Sequence, residues 1–201
     1  MATVYTIGHS TRTLDELVTA LKAHAISTLV DIRSFPMSRR MPHFNRESLG
    51  VELPKHGIAY VWMRELGGRR KKIRDDSPNT GLRNDSFRNY ADYMLTPEFE
   101  NGIERLLELA NRTADPSTRS RNSSTNSLRM TTEAIHSNTA MMCAERMYFQ
   151  CHRMLVSDYL TAHGHTVLHI EDDKRPLRPH KLMAEAHLVN GQLLYNAQQL
   201  F

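Results

Sequence analysis

The alternation of apolar runs and helical segments constrains the fold of this chain more than any other feature. Apolar runs at residues 4–7, 26–32 and 58–63 are separated by two segments with helical character. The first of these segments starts with a capping-box pattern, in which Thr13 and Glu16 can satisfy the free amides at a helix start. This β-α-β-α-β order predicts an α/β fold of three layers, a mainly parallel sheet with helices on both faces.

The second half of the chain continues the same alternation. A helix is expected from Thr96-Pro97, a strand at 139–144, a helix at 153–163 and a strand at 166–170. The tail at 187–195 predicts a small C-terminal hairpin that turns at Asn190-Gly191. We expect a single domain over residues 1–201. Its Ser-, Thr- and Asn-rich stretch at 111–138 is predicted to be a flexible insertion.

Composition bears on the compartment and on the partner. No apolar run has the length of a membrane span, and the two cysteines, Cys143 and Cys151, do not indicate a secreted protein. We therefore expect a cytoplasmic protein with reduced thiols and no membrane association. The net charge is only +4, but basic residues concentrate at 33–40 and 64–74. These runs are either solvated loops or the binding surface for a phosphate-bearing partner.

Polar segments follow four of the predicted strands, at residues 8–10, 31–34, 65–70 and 143–153. Open parallel sheets bind their ligands beyond the carboxyl ends of the strands, where loops and helix starts converge. The sequence therefore predicts that the four segments form one site.

The first two segments leave alternatives open. His9 could act as an acid, a base or a ligand, or it could make only a local hydrogen bond beside Ser10. Asp31 and Arg33 fall on the same side of an extended chain. They could form a salt bridge, or Arg33 could hold a phosphate while Asp31 orients it. Asp31 could also bind a hard cation such as Mg²⁺.

The last segment is the densest in reactive groups. A thiolate near Arg153 and a helix start would be a credible nucleophile, whereas Cys143 could equally be an inert buried residue. Cys143, Cys151 and His152 could bind zinc, although the seven-residue gap between the cysteines is not a standard zinc spacing. Glu145 is the preferred candidate for acid–base or metal chemistry on this turn.

Several of these segments resemble one known family. TIGHS, VDIRSFPMSRR with PHFN, ELGG before a basic run, FRNYADYM, and MCAE followed by CHR together resemble the DUF488 family. The resemblance extends over most of the chain apart from the insertion and the tail, and residues 146–150 depart from the family's proline-containing turn. It implies a compact α/β domain with an enzymatic or ligand-binding pocket on one side, and the family has no established function. The matching positions are His9, Ser10, Asp31, Arg33, Arg39, Arg40, Asn45, Gly67, Gly68, Cys143, Glu145, Cys151, His152 and Arg153.

The leading hypothesis is metal-assisted phosphodiester hydrolysis on nucleic acid or nucleotides. Its cofactor would be a divalent metal ion held by Asp31 and Glu145, with Mg²⁺ or Mn²⁺ preferred to Zn²⁺, and no organic cofactor is expected. The predicted catalytic residues are His9, Asp31, Glu145 and His152. The predicted substrate and phosphate ligands are Ser10, Arg33, Arg39, Arg40, Arg69, Arg70 and Arg153. The alternatives are a non-catalytic nucleic-acid-binding module, and an enzyme that uses Cys143 or Cys151 on a small phosphorylated or base-like substrate.

Overall fold

A six-stranded sheet organises the computed structural model, which describes residues 1–112 and 138–196. Its order is β3-β2-β4-β1-β5-β6, and the first five strands are parallel while β6 runs antiparallel to β5. The strands are β1 (Thr3–Gly8), β2 (Ile26–Asp31), β3 (Ala59–Trp62), β4 (Asn138–Cys143), β5 (Thr166–Ile170) and β6 (Arg178–Pro179).

Helices cover both faces of this sheet, as the sequence predicted. They are α1 (Leu14–Ala23), α2 (Arg46–Lys55), α3 (Asp85–Tyr93), α4 (Pro97–Asn111) and α5 (Arg153–Ala162). Alternate residues of one strand point to opposite faces. In β4, Met142 packs in the core shared with α1 and α2, and Met141 packs in the core shared with α3, α4 and α5. The α/β class and the parallel sheet are therefore confirmed.

Local capping fixes where two of the helices begin. The Thr13 hydroxyl accepts from the Glu16 amide at 3.2 Å, and the Glu16 carboxylate accepts from the Thr13 amide at 2.7 Å. The Thr96 side chain caps α4, whose first residue is Pro97. Both helix starts were predicted from the sequence, because the signal lies within a few adjacent residues.

The tail adds a separate antiparallel pair, β7 (Ala186–Val189) and β8 (Gln192–Tyr195). Asn190 and Gly191 both have positive φ angles, 51° and 82°, which is the geometry of a tight hairpin turn. This confirms the predicted C-terminal hairpin. The stretch at 111–138 that was predicted to be a flexible insertion lies outside the described residues, apart from the end of α4 and the first residue of β4.

Within the described ranges, none of the helices is both long enough and apolar enough to span a bilayer.

The register of the parallel strands places their carboxyl ends together. Gly8 at the end of β1 lies beside Cys143 at the end of β4, and Asp31 at the end of β2 lies beside Met142. The strand ends that carry polar segments in the sequence therefore meet at one edge of the sheet.

Candidate functional site

A cleft of about 650 Å³ opens at this edge of the sheet. The segment after β2 contributes Arg33, and the turn after β3 contributes Arg69. The end of β4 and the start of α5 contribute the remaining reactive side chains, which are Cys143, Glu145, Cys151 and His152. The cleft has the size of a small-molecule site, and the structure brings together six residues that the sequence singled out.

Three buried side chains on the cleft could hold a metal ion. The ligand atoms of Cys143, Cys151 and His152 all lie within 4.8 Å of one another. The Nε2 atom of His152 lies 2.8 Å from the carbonyl oxygen of Ile32, and a carbonyl only accepts, so Nε2 carries the proton. Nδ1 therefore carries the free lone pair, and this atom lies 3.9 Å from the Cys143 sulfur. We call these three residues the Cys₂His group.

Burial keeps the His152 imidazole neutral. Desolvation is the largest cause that lowers the pKa of His152, and the charges of Arg153 and Arg70 act in the same direction. A neutral imidazole with a free Nδ1 can accept a proton or ligate a metal.

The two cysteine thiols differ in acidity. A hydrogen bond from Cys151, the charge of Arg153 and the backbone amides of Glu145 and Ala144 lower the pKa of Cys143 to about 7 against the effect of burial. The same hydrogen bond to Cys143, together with burial, raises the pKa of Cys151. Cys143 is therefore the more acidic thiol of the pair.

Arg153 stabilises the loop that carries these groups. It is almost fully buried, and its Nη2 donates to the carbonyl oxygens of Glu145 and Arg146. Its Nε donates to the Cys151 sulfur at 3.2 Å. The sequence predicted a phosphate ligand at this position, and the structure places the guanidinium against protein carbonyls and a thiol.

Arg33, which lines the cleft, forms a buried ion pair with Asp31. The Arg33 Nη2 lies 2.5 Å from the Asp31 carboxylate, which also accepts from the Arg33 Nε and from the Tyr60 hydroxyl. Arg33 Nη2 also donates to the carbonyl oxygen of Phe44, and Nη1 donates to the Nε2 atom of His9. These bonds hold the guanidinium in one orientation, which is the salt-bridge alternative that the sequence left open.

His9 lies behind Arg33 and does not line the cleft. Its Nδ1 donates to the carbonyl oxygen of Ser10 at 2.9 Å, which leaves Nε2 as the acceptor for Arg33. Burial and the charge of Arg33 lower the pKa of His9 to about 4, so the ring is neutral at physiological pH. His9 therefore positions Arg33.

Two glycines are required where the chain passes close to these groups. A Cβ atom at Gly8 would overlap the carbonyl oxygen of Glu145, and a Cβ atom at Gly68 would overlap the imidazole ring of His152. Only glycine allows the two loops to approach so closely.

Three large apolar side chains line the cleft, and we call them its apolar wall. Phe35 is 65 % exposed and Met37 is 75 % exposed, and Phe87 of α3 also lines the cleft. None of the three was among the site residues predicted from the sequence. For Phe35 and Met37 the available signal was their position after the end of β2, because ligands bind beyond the carboxyl ends of parallel strands.

Comparison with known families matches residues 13–118, about half of the chain, to the family described as a domain of unknown function, DUF488. The chain belongs to the DUF488 family. The match includes the segments around Arg33, Gly68 and α3, whereas TIGHS and the Cys₂His group lie outside it. No curated protein and no solved structure matches this DUF488 chain.

Other predicted site residues of the DUF488 chain lie away from the cleft. Arg39 and Arg40 are exposed and do not line it. Arg70 donates to the carbonyls of residues 64, 65 and 67, and its guanidinium packs 3.6 Å from the centre of the Tyr93 ring. Ser10 lies on a different cavity, beside α1.

Proposed function

We propose that this protein is a zinc-dependent hydrolase that acts on nucleotides or nucleic acid. The observation that carries the proposal is the Cys₂His group, whose three ligand atoms lie within 4.8 Å of one another at the cleft. Thiolate and imidazole donors favour Zn²⁺ over Mg²⁺ or Mn²⁺. Catalytic zinc sites commonly use three protein ligands and leave a fourth position for water or substrate.

Hydrogen bonds around the Cys₂His group support this assignment. Ligating histidines usually donate their second nitrogen to a carbonyl or a carboxylate, and His152 donates Nε2 to the carbonyl oxygen of Ile32. Arg153 donates to the Cys151 sulfur and would stabilise it as a thiolate.

The position of Asp31 is the reason for choosing this group over the metal ligands expected from the sequence. Both oxygens of Asp31 accept hydrogen bonds from Arg33, one also accepts from Tyr60, and the carboxylate is fully buried. We therefore assign Asp31 to the support of Arg33 and the metal to the Cys₂His group.

Each group of residues in the cleft would have its own role in the proposed reaction. Cys143, Cys151 and His152 would hold the zinc, which would supply a water of lowered pKa. Glu145 is exposed on the cleft lining and would take the proton from that water. Arg69 carries free positive charge on the lining, and it would hold the substrate phosphate together with the remaining N–H of Arg33.

Metal analysis of the purified protein tests the ligand set. We expect about one zinc per chain in the wild type, and loss of that zinc in Cys143→Ala, Cys151→Ala and His152→Ala. Hydrolysis of mononucleotides and short oligonucleotides should stop after chelation and return with Zn²⁺. Activity that returns with Mg²⁺ alone, in protein that holds no zinc, would contradict the proposal.

Glu145→Gln separates catalysis from metal binding. The variant should keep its zinc and lose about 100-fold or more in turnover, because general acid–base catalysis contributes about that factor. Glu47→Gln is the matched control, since Glu47 is exposed on α2 and does not line the cleft. Equal turnover in the two variants would remove Glu145 from the mechanism.

A second candidate function rests on the pairing of Cys143 with His152. The Nδ1 atom of His152 lies 3.9 Å from the Cys143 sulfur and could accept its proton, as in cysteine-dependent enzymes. This alternative predicts a zinc-free protein in which iodoacetamide labels Cys143 faster than Cys151 at neutral pH. The zinc site predicts two protected thiols that become reactive only after chelation.

A further inference from the structure

Two large apolar side chains of the cleft are exposed, although packing of the fold does not require them at the surface. Phe35 and Met37 are 65 % and 75 % exposed, and both line the same cleft as Phe87. Exposed apolar side chains that gather on one wall of a pocket usually mark a ligand contact. Aromatic side chains in such positions stack well on flat rings.

Positive charge on the same cleft complements the apolar wall. The Arg69 side chain is exposed and has no hydrogen-bond or ion-pair partner in the described part of the chain, although its backbone amide donates to the Ser34 hydroxyl at 2.8 Å. Four of the five N–H groups of the Arg33 guanidinium donate hydrogen bonds, and the second N–H of Nη1 has no acceptor within residues 1–112 and 138–196. The cleft therefore offers a flat apolar contact, the Arg69 cation and one free N–H of Arg33 for an anion.

We propose that the cleft binds a single nucleotide, with its nucleobase against Phe35, Met37 and Phe87 and its phosphate on Arg69 and Arg33. This assignment rests on the proposed function for its chemistry and deepens it, because it names a mononucleotide as the substrate class. A volume of about 650 Å³ suits one such ligand. The remaining exposed arginines after β2, Arg39 and Arg40, lie off the cleft.

Binding measurements on the Glu145→Gln protein test the assignment without turnover. Adenosine monophosphate, adenosine, ribose 5-phosphate and a six-residue oligonucleotide are titrated separately by calorimetry. We expect the mononucleotide to bind at least about tenfold more tightly than adenosine or ribose 5-phosphate, since only it uses both subsites.

Two variants separate the subsites. Phe35→Ala should weaken the mononucleotide and adenosine by about tenfold and leave ribose 5-phosphate unchanged, because one stacking contact has about that effect. Arg69→Ala should weaken the mononucleotide and ribose 5-phosphate and leave adenosine unchanged. The matched controls are Leu188→Ala, at an exposed apolar residue of β7, and Arg39→Ala, at an exposed arginine off the cleft.

The outcomes distinguish this assignment from the proposed function. Ribose 5-phosphate that binds as tightly as the mononucleotide, or tight binding of the oligonucleotide alone, would overturn the single-nucleotide site. Mononucleotide binding with the expected variant pattern, in a wild-type protein that hydrolyses nothing and holds no zinc, would overturn the proposed function and leave the binding site standing.

Discussion

The carbonyl oxygen of Ile32 accepts the Nε2 proton of His152 at 2.8 Å, and this bond determines which nitrogen of the ring faces Cys143. Ile32 lies just after β2, and His152 lies just before α5. One hydrogen bond therefore connects the segment that carries Arg33 to the segment that carries the metal donors.

His152→Ala should abolish zinc binding. Loss of an outer hydrogen-bond partner costs a metal site roughly 10–100-fold in affinity, and loss of a ligand should cost more. Competition with a chromophoric chelator measures the affinity. His56→Ala is the control, because His56 follows α2 and is not part of the Cys₂His group. Unchanged zinc affinity in His152→Ala would show that the histidine is not a ligand.

Gly68→Ala should weaken the same zinc site by displacing His152. The new methyl group would overlap the ring atoms Nδ1, Cγ and Cε1 of His152, which is buried and cannot move without cost. We expect a lower unfolding temperature and weaker zinc binding. Gly50→Ala is the matched control, because its Cβ would meet only Tyr60 at 3.9 Å and alanine favours the helix by up to about 1 kcal/mol. Equal zinc affinity in the two variants would contradict this account.

Asp31→Asn should destabilise the fold by about 3–5 kcal/mol, since it leaves the buried Arg33 charge without its partner. Urea unfolding measures the change. Glu52→Gln removes a solvent-exposed ion pair to Lys55 and should change the unfolding free energy by less than about 1 kcal/mol. The folded fraction of Asp31→Asn should keep its zinc. Loss of zinc from folded protein would restore Asp31 as a metal ligand.

Protonation of His9 should destabilise the fold in acid. Burial and Arg33 lower the pKa of His9 to about 4, below the unfolded value of 6.5, so the folded protein binds fewer protons than the unfolded chain between these pH values. Stability from the neutral ring is complete above pH 6.5 and is lost as the pH falls towards 4, by up to about 3 kcal/mol.

Unfolding free energies at several pH values test this for wild type and His9→Gln. Burial and the neighbouring His180 lower the pKa of His169 to about 3, so His169 adds a slope of the same sign. The variant should therefore lose part of the slope between pH 6.5 and 4. Identical slopes would mean that His9 is not the titrating group.

The sequence was sufficient for features determined by neighbouring residues. The capping box at Thr13, the turn at Asn190-Gly191 and the strand ends at Gly8 and Cys143 were all predicted, because each depends on a few adjacent side chains. Parallel strands then place their carboxyl ends together for any sequence that forms them. The location of the candidate site could therefore be predicted from local patterns.

Helix α3 was not predicted. Its buried face consists of Tyr90, Ala91, Asp92 and Tyr93, and Asp92 accepts hydrogen bonds there from Ser77 and Asn79. Phe87, Tyr90, Ala91 and Met94 recur at helical spacing, but charged and amide side chains surround them in the sequence. The segment therefore had the composition of a polar loop.

The sequence also could not show which side chains of the site contact each other. The spacing of Asp31 and Arg33 is compatible with a salt bridge and with a phosphate contact, and the buried bonds to Phe44 and from Tyr60 that support the salt bridge are seen only in the fold. The Cys₂His group joins residues on either side of a loop, and only the folded loop sets the distances between their donor atoms. Sequence spacing alone could not determine that the three donors converge.

The strand β4 separates the cleft from the point where the chain returns from residues 113–137. Its first residue, Asn138, and its last, Cys143, lie at opposite edges of the sheet, roughly 16 Å apart at about 3.3 Å per residue. The end of α4 lies at the same far edge, since the Thr139 hydroxyl donates to the carbonyl oxygen of Leu109. A dye attached through Arg112→Cys, at an exposed residue just after α4, would thus be bound at the far edge, away from the reactive thiols. The protein could then be immobilised or labelled for ligand titrations while its cleft stays accessible.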